Sequence, residues 1–262
     1  MHLDIYSIIF LLSAGFGSGL FVSICSGTAA GYMIPILTIL GSSIHKSIGT
    51  SLFVDSLVGL SAGLIFLKKG KTKVRSVLPV IFFSAIGAFI GSFFTSYAPE
   101  RGLNIYILIV LFVFGINLMY NGYTKNIDFI KSKYSFTFFK KYKTYIFVIL
   151  GFSLGFSSGL TGFGGAGLLA LGFIFVFDYD LHTSIGTSLI IMFFLAGFGA
   201  IGHVALNEFI WEAGLIAGLA AVIGASVGSL FANKINEDIL ARVIGLIMLV
   251  LGFIFLYQIV LS

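Results

Sequence analysis

The sequence is short of charge. Only 10% of its 262 residues are Asp, Glu, Lys or Arg, against about 25% in soluble domains. Too little polar surface remains to face water, which excludes an ordinary soluble globule. Cysteine is nearly absent: the single Cys25 rules out an intrachain disulfide and any multi-cysteine metal site. The start, Met1-His2-Leu3-Asp4, lacks the cationic stretch of a secretory leader, so the first apolar segment is expected to stay in the mature protein. No Lys or Arg lies deep in an apolar segment. Enzyme constellations are missing too: there is no H-E-x-x-H and there are no paired carboxylates within an apolar segment, and Gly155-Phe156-Ser157-Ser158-Gly159, although it reads G-x-S-x-G, lies in an apolar segment and is not a nucleophile elbow. Neither a cofactor nor a metal is expected.

What is there is apolar. Hydrophobic residues make up 58%, with 30 Phe and 33 Gly, and the mean hydropathy is +1.11. The fold class expected is an all-α polytopic membrane protein, with Phe towards lipid and Gly where helices approach closely. The net charge of +5 lies in a few loops. It reports orientation in a bilayer rather than contact with nucleic acid.

Residues 5–44 carry no formal charge. As one helix they would run roughly 60 Å, twice the hydrocarbon core of about 30 Å. Ser26-Gly27-Thr28-Ala29-Ala30-Gly31 supplies a break, giving arms near 5–25 and 28–43. His45 and Lys46 mark a surface, and a helix over 46–67 follows. Next comes a basic loop with Lys68, Lys69, Lys71, Lys73 and Arg75. Helices over 76–97 and 102–123 complete a first repeat, 1–123. The linker 124–143 carries six lysines and is read as cytoplasmic. The second repeat, 144–262, follows the same plan. An uncharged stretch, 144–177, breaks at Thr161-Gly162-Phe163-Gly164-Gly165, and helices follow over 182–204, 212–233 and 238–261. H-K-S-I-G-T-S-L at 45–52 matches H-T-S-I-G-T-S-L at 182–189, and I-G-A-F-I-G-S at 86–92 matches I-G-A-S-V-G-S at 223–229. Both matches have a shift of 137, the mark of a duplication.

Crossing parity relates the halves. If each interrupted stretch enters and returns, each half has an odd count and the copies are inverted; 13 of the 15 Lys and Arg then fall on one side. A parallel arrangement puts 11 there. The charge asymmetry favours inversion, by the margin of Lys234 and Arg242.

A break at mid-membrane exposes backbone N–H and C=O groups, tolerated only if buried in protein or lining a wet cavity. The arm after each break starts a new helix, whose free N–H groups carry partial positive charge. Gly27 and Thr28 in one half, and Thr161, Gly162, Gly164 and Gly165 in the other, lie at those starts. Two such starts brought together would hold a small anion without a buried Arg. The alternative is that the glycines only pack helices, the role expected of Gly87, Gly91, Gly224 and Gly228. Gly162 to Gly167 formally matches G-x-G-x-x-G, but its membrane flanks exclude a dinucleotide fold. The triplets Gly49-Thr50-Ser51 and Gly186-Thr187-Ser188 lie one to two turns into helices. Their hydroxyls suit either an oxyanion or neighbouring backbone. Asp55 stands about 13 Å along its helix from Lys46, and Met192 holds its place in the other half. A buried carboxylate is costly, which makes Asp55 a candidate protonatable coupling group or a structural acid. His203 ends its helix and is a second coupling candidate, whereas His45 and His182 read as surface-level residues.

Two copies of a glycine-rich break, an apolar run and A/S-x-G-T-S-L, with Gly199, His203 and Trp211 later in the chain, resemble the TauE/SafE sulfite-exporter family of permeases. The resemblance spans both halves. It implies transport of sulfite, sulfonates, sulfoacetate or related small anions, coupled to an ion such as H+ or Na+. It carries over to Gly162, Gly164, Gly165 and the two triplets. The first half departs from it: Gly27-Thr28-Ala29-Ala30-Gly31 replaces the denser glycine run, and Pro35 fits the pattern where Leu171 does not. The expected partners are a small anion, a coupling ion and the lipid bilayer of the inner cell membrane. The glycine excess is compatible with a homodimer. The rival readings are a passive anion channel and a membrane scaffold.

Overall fold

The computed structural model describes residues 4–121, 142–163, 165–232 and 237–261. Gly164, Lys234 and residues 124–141 of the basic linker lie outside them. The described residues form ten helices and no strand: α1 Ile5–Cys25, α2 Ala30–Ile39, α3 Ile44–Lys68, α4 Val74–Thr95, α5 Glu100–Asn121, α6 Lys143–Thr161, α7 Ala166–Val176, α8 Leu181–Ala205, α9 Trp211–Phe231 and α10 Glu237–Leu261. Seven of them, α1, α3 to α6, α8 and α9, are long and apolar enough to cross a membrane. α2 and α7 are half-length, at about 15 Å each by helical rise.

Each long uncharged stretch is therefore a long helix, a break and a short helix. The chain reverses at residues in the left-handed region. Ser26 (φ 54°) ends α1 and Gly162 (φ 80°) ends α6, and such a cap satisfies terminal carbonyls while turning the backbone. The Ser26 amide donates to Val22 O at 2.9 Å and the Gly162 amide to Ser158 O at 2.7 Å. The two caps are 136 positions apart, one short of the shift seen in the downstream helices.

The halves are interlocked. α1 packs along α9 of the other half, and α6 packs along α4. Small residues set the distance: a Cβ on Gly15 or Gly19 would strike the Ala217 or Ala221 carbonyl, and one on Gly155 or Gly159 the Ser84 or Ala88 carbonyl. Gly87 and Gly91 meet Phe152 and Phe156, while Gly224 and Gly228 meet Phe16 and Leu20. These four are packing glycines, as small-xxx-small spacing predicts.

α3 and α8 form the centre and run antiparallel. Gly49 faces His203 and Glu208, Gly59 faces Leu189 and Phe193, and Gly186 faces Phe66 and Lys71. α5 and α10 pair on the flank. One end of the bundle gathers His45, Glu100 and Glu208: His45 Nδ1 is 3.4 Å from Glu100 Oε1, and Ser96 Oγ donates to Glu208 Oε1 at 2.9 Å. The other end gathers the basic loop. There Lys71 Nζ is 3.6 Å from Asp180 Oδ1, and Lys69 Nζ donates to Ser229 O at 2.7 Å.

Candidate functional site

The two breaks lie against each other and against the opposite half. Ser26 Oγ is 2.6 Å from Ser188 Oγ. A Cβ on Gly162 would stand 3.1 Å from Ser51 Oγ, and one on Gly167, in the first turn of α7, would stand 2.9 Å from Ser26 O. Each break thus touches the last residue of the other half's Gly-Thr-Ser triplet, and the start of α7 abuts the first break.

At the first break the start of α2 already holds an anion. The Ala29 amide donates to Asp55 Oδ1 at 2.7 Å, and Thr28 Oγ1 donates to Oδ2 at 2.6 Å. The Ala30 amide donates to Thr28 Oγ1 at 3.2 Å. Asp55 is wholly buried. Its carboxylate satisfies one N–H group that a helix start leaves open, at the positive end of the helix dipole. In the second half the residue equivalent to Asp55 by the shift of 137 is Met192, also wholly buried, and Gly165 caps α7 without a side-chain bond. Thr161 is turned to local backbone: it donates to Ser157 O at 2.8 Å and accepts from the Phe163 amide at 3.4 Å.

The triplet threonines do a different job from the serines. Thr50 Oγ1 donates to Lys46 O at 2.7 Å and accepts from the Ile210 amide at 3.1 Å. Thr187 Oγ1 donates to Thr183 O at 2.6 Å and accepts from the Lys73 amide at 3.1 Å. Each hydroxyl proton is spent within its own helix, and each oxygen pins the loop of the other half. Gly49 and Gly186 allow that approach: a Cβ there would strike the Glu208 or Lys71 carbonyl. Of the two roles open to the triplets, backbone bonding is the one the threonines fill here.

His203 is buried at the end of α8. Its Nδ1 is 2.9 Å from Glu208 Oε2 and its Nε2 2.9 Å from Gly159 O. It ties the last turn of α6, just before the second break, to the α8–α9 loop. Burial pushes the Glu208 carboxyl up, but hydrogen bonds from His203 and Ser96 outweigh that and hold it below the usual range.

Both breaks are packed in this conformation. A Cβ on Gly27 would meet the Phe21 ring, one on Gly165 the Leu154 side chain at 2.6 Å, and one on Gly162 the Ile34 side chain at 2.9 Å.

The expected residues thus fall into three groups. Gly27, Thr28, Asp55 and Ser188 meet at the first break, and Ser51, Thr161, Gly162 and Gly165 at the second. Gly49, Thr50, Gly186 and Thr187 sit where loops are pinned. His203 joins the second break to one end, and Gly164 lies outside the described residues. Sequence reasoning missed Ser26 and Glu208. Ser26 was detectable as the counterpart of Gly162 once the shift of 136 was tried, and Glu208 follows His203 by five residues across a helix end.

The profile of the Sulfite exporter TauE/SafE family matches residues 11–255. The chain belongs to the TauE/SafE family. Curated relatives of this TauE/SafE protein include the probable membrane transporter protein YdhB of Bacillus subtilis, 28% identical over 242 residues covering 91% of this chain and 96% of the relative. They also include the probable membrane transporter protein ORF9 of Sinorhizobium sp, 25% identical, covering 93% of this chain and 90% of the relative. A third is the probable membrane transporter protein YunE of Bacillus subtilis, 22% identical, with 81% of each chain covered. No solved structure matches. Members of this family are multi-pass membrane transporters, which agrees with seven helices able to span.

Proposed function

We propose that this membrane transporter is a secondary carrier of a small sulfur-containing or organic anion, such as sulfite, a sulfonate or sulfoacetate, in the inner cell membrane. The observation that carries the reading is the approach of two half-length helix starts in the core, one of them bonded to a carboxylate whose counterpart in the other half is a methionine. The start of α7 is the place for the transported anion, with backbone amides at Gly165 and beyond, Gly162, Gly164 and Thr161 on the approach, and Ser51 from the opposite half. The halves serve as inverted repeats, and antiparallel α3 and α8 form the joint about which access alternates. Asp55 and His203 are the groups through which H+ or Na+ couples: the first touches a helix start, the second ties a break to one end. Tight packing of both breaks fits an occluded conformation.

The test is uptake into proteoliposomes of the purified protein under an imposed proton or sodium gradient. Accumulation of labelled sulfite above its own electrochemical equilibrium supports the carrier. Flux that only dissipates the anion gradient means a channel. Neither flux nor anion-dependent thermal stabilisation means a scaffold.

A further inference from the structure

Asp55 is held unlike most buried carboxylates. Its partners among the described residues are one amide and one hydroxyl: that of Ala29, the N-cap of α2, and that of Thr28 just before it. Among the described residues no Lys or Arg is paired with it. Each carboxylate oxygen has its own donor, at 2.7 and 2.6 Å, and the group points into a left-handed break rather than along its own helix. This is how a site built from helix-start donors holds a free oxyanion. The related position in the second half carries no charge at all.

We infer that the first break is an anion pocket whose ligand is the chain's own Asp55 carboxylate, so that Asp55 keeps the transported anion off α2 and leaves one helix start per chain to receive it. The occupant is a carboxylate-sized oxyanion, and the tether is the Cβ of Asp55. The pocket itself does not depend on the transport reading, though the identity of the excluded anion rests on it. The asymmetry between the halves then sets stoichiometry: the duplication made two related helix starts, and the Asp55 carboxylate occupies one of them in this conformation. Were Asp55 removed, Ala29 N–H and Thr28 Oγ1 would face a gap of about one carboxyl group.

Chemical rescue tests this on the full chain in detergent. Asp55→Ala should melt lower than the native chain. Sodium formate should then raise its Tm saturably, by about 3 °C or more beyond any rise it gives the native chain, with equal sodium chloride as the control. Formate acting equally on both proteins, or on neither, overturns the inference. Asp55→Ser, which keeps one polar group, serves if alanine does not fold. Failure to recover either variant with formate in every buffer also counts against it, since a filled pocket should restore the fold. Met192→Asp separates the two readings. A tethered carboxylate at the second break should abolish stabilisation by sulfite. If sulfite still stabilises Met192→Asp, the transport site at α7 falls, while formate rescue at Asp55 stands or falls alone.

Discussion

The two breaks have the same geometry and opposite chemistry. Both end a long helix at a left-handed residue, both start a half-length helix, and both touch a serine from the other half. Yet the first places a carboxylate on its new helix start, whereas the second half has Met192, buried and uncharged, at the position equivalent to Asp55. The first also uses Ser26 where the second uses Gly162, and Thr28-Ala29 where the second has Gly164-Gly165. Bulkier residues and an internal charge make the first break a fixed element. The second break, with glycine at its turn and no charge at the position equivalent to Asp55, is the one proposed to receive the anion. Pseudo-symmetry supplied the scaffold, and departures from it supplied the division of labour.

Giving the first break the composition of the second should have the largest effect. Asp55→Met leaves two buried donors without an acceptor, at about 1–3 kcal/mol each. We expect a loss of about 2–4 kcal/mol in unfolding measured in detergent, and a loss near zero would break the contrast. Next come the reversal residues. Gly162→Ala forces a Cβ into the left-handed region, about 1–2 kcal/mol, and crowds Ile34 and Ser51. Ser26→Gly relieves its backbone but forfeits the bond to Ser188, so it should stay within about 1 kcal/mol of native. Thr50→Val and Thr187→Val should be alike, each costing about 1 kcal/mol through an uncapped loop amide. Unequal costs would mean that the two loops are not equivalent clamps.

The smallest effect separates the two ends by pH. Burial raises the Glu208 carboxyl, but His203 and Ser96 hold it low. Burial likewise raises Asp180, and Thr183 and Lys71 outweigh it. A carboxyl held low in the folded state adds stability above its ordinary pKa, about 4.3 for Glu. That stability fades as pH falls through the lowered value. Melting followed below about pH 4.5 should lose less in Glu208→Gln than in the native chain. Asp180 is more exposed and screened, so Asp180→Asn should change the slope less.

Much of the fold was legible in the sequence because hydropathy and charge fix span ends. The helix read over 46–67 runs Ile44–Lys68, and that read over 212–233 runs Trp211–Phe231. The arm read over 28–43 is shorter, Ala30–Ile39, because Asp55 sets its start and Gly41 (φ 85°) turns the chain soon after its end. Thr28 and Asp55 were each legible as candidates but not as a pair. They are 27 residues apart on different helices, and only packing brings them to 2.6 Å. The triplets were ambiguous for a similar reason. Whether a hydroxyl meets backbone or solute depends on the neighbouring loop, which no spacing within the motif encodes.

The interlocking of the halves carries a consequence for biogenesis. α1 leaves the ribosome well before α9, its long-range neighbour, which begins 206 positions later. At roughly 5–20 residues per second that is about 10–40 s, during which Gly15 and Gly19 lack the surface they are shaped to meet. The nascent N-terminal half must wait in the bilayer for its twin. A chain cut between the repeats should therefore mature only when both fragments are synthesised together.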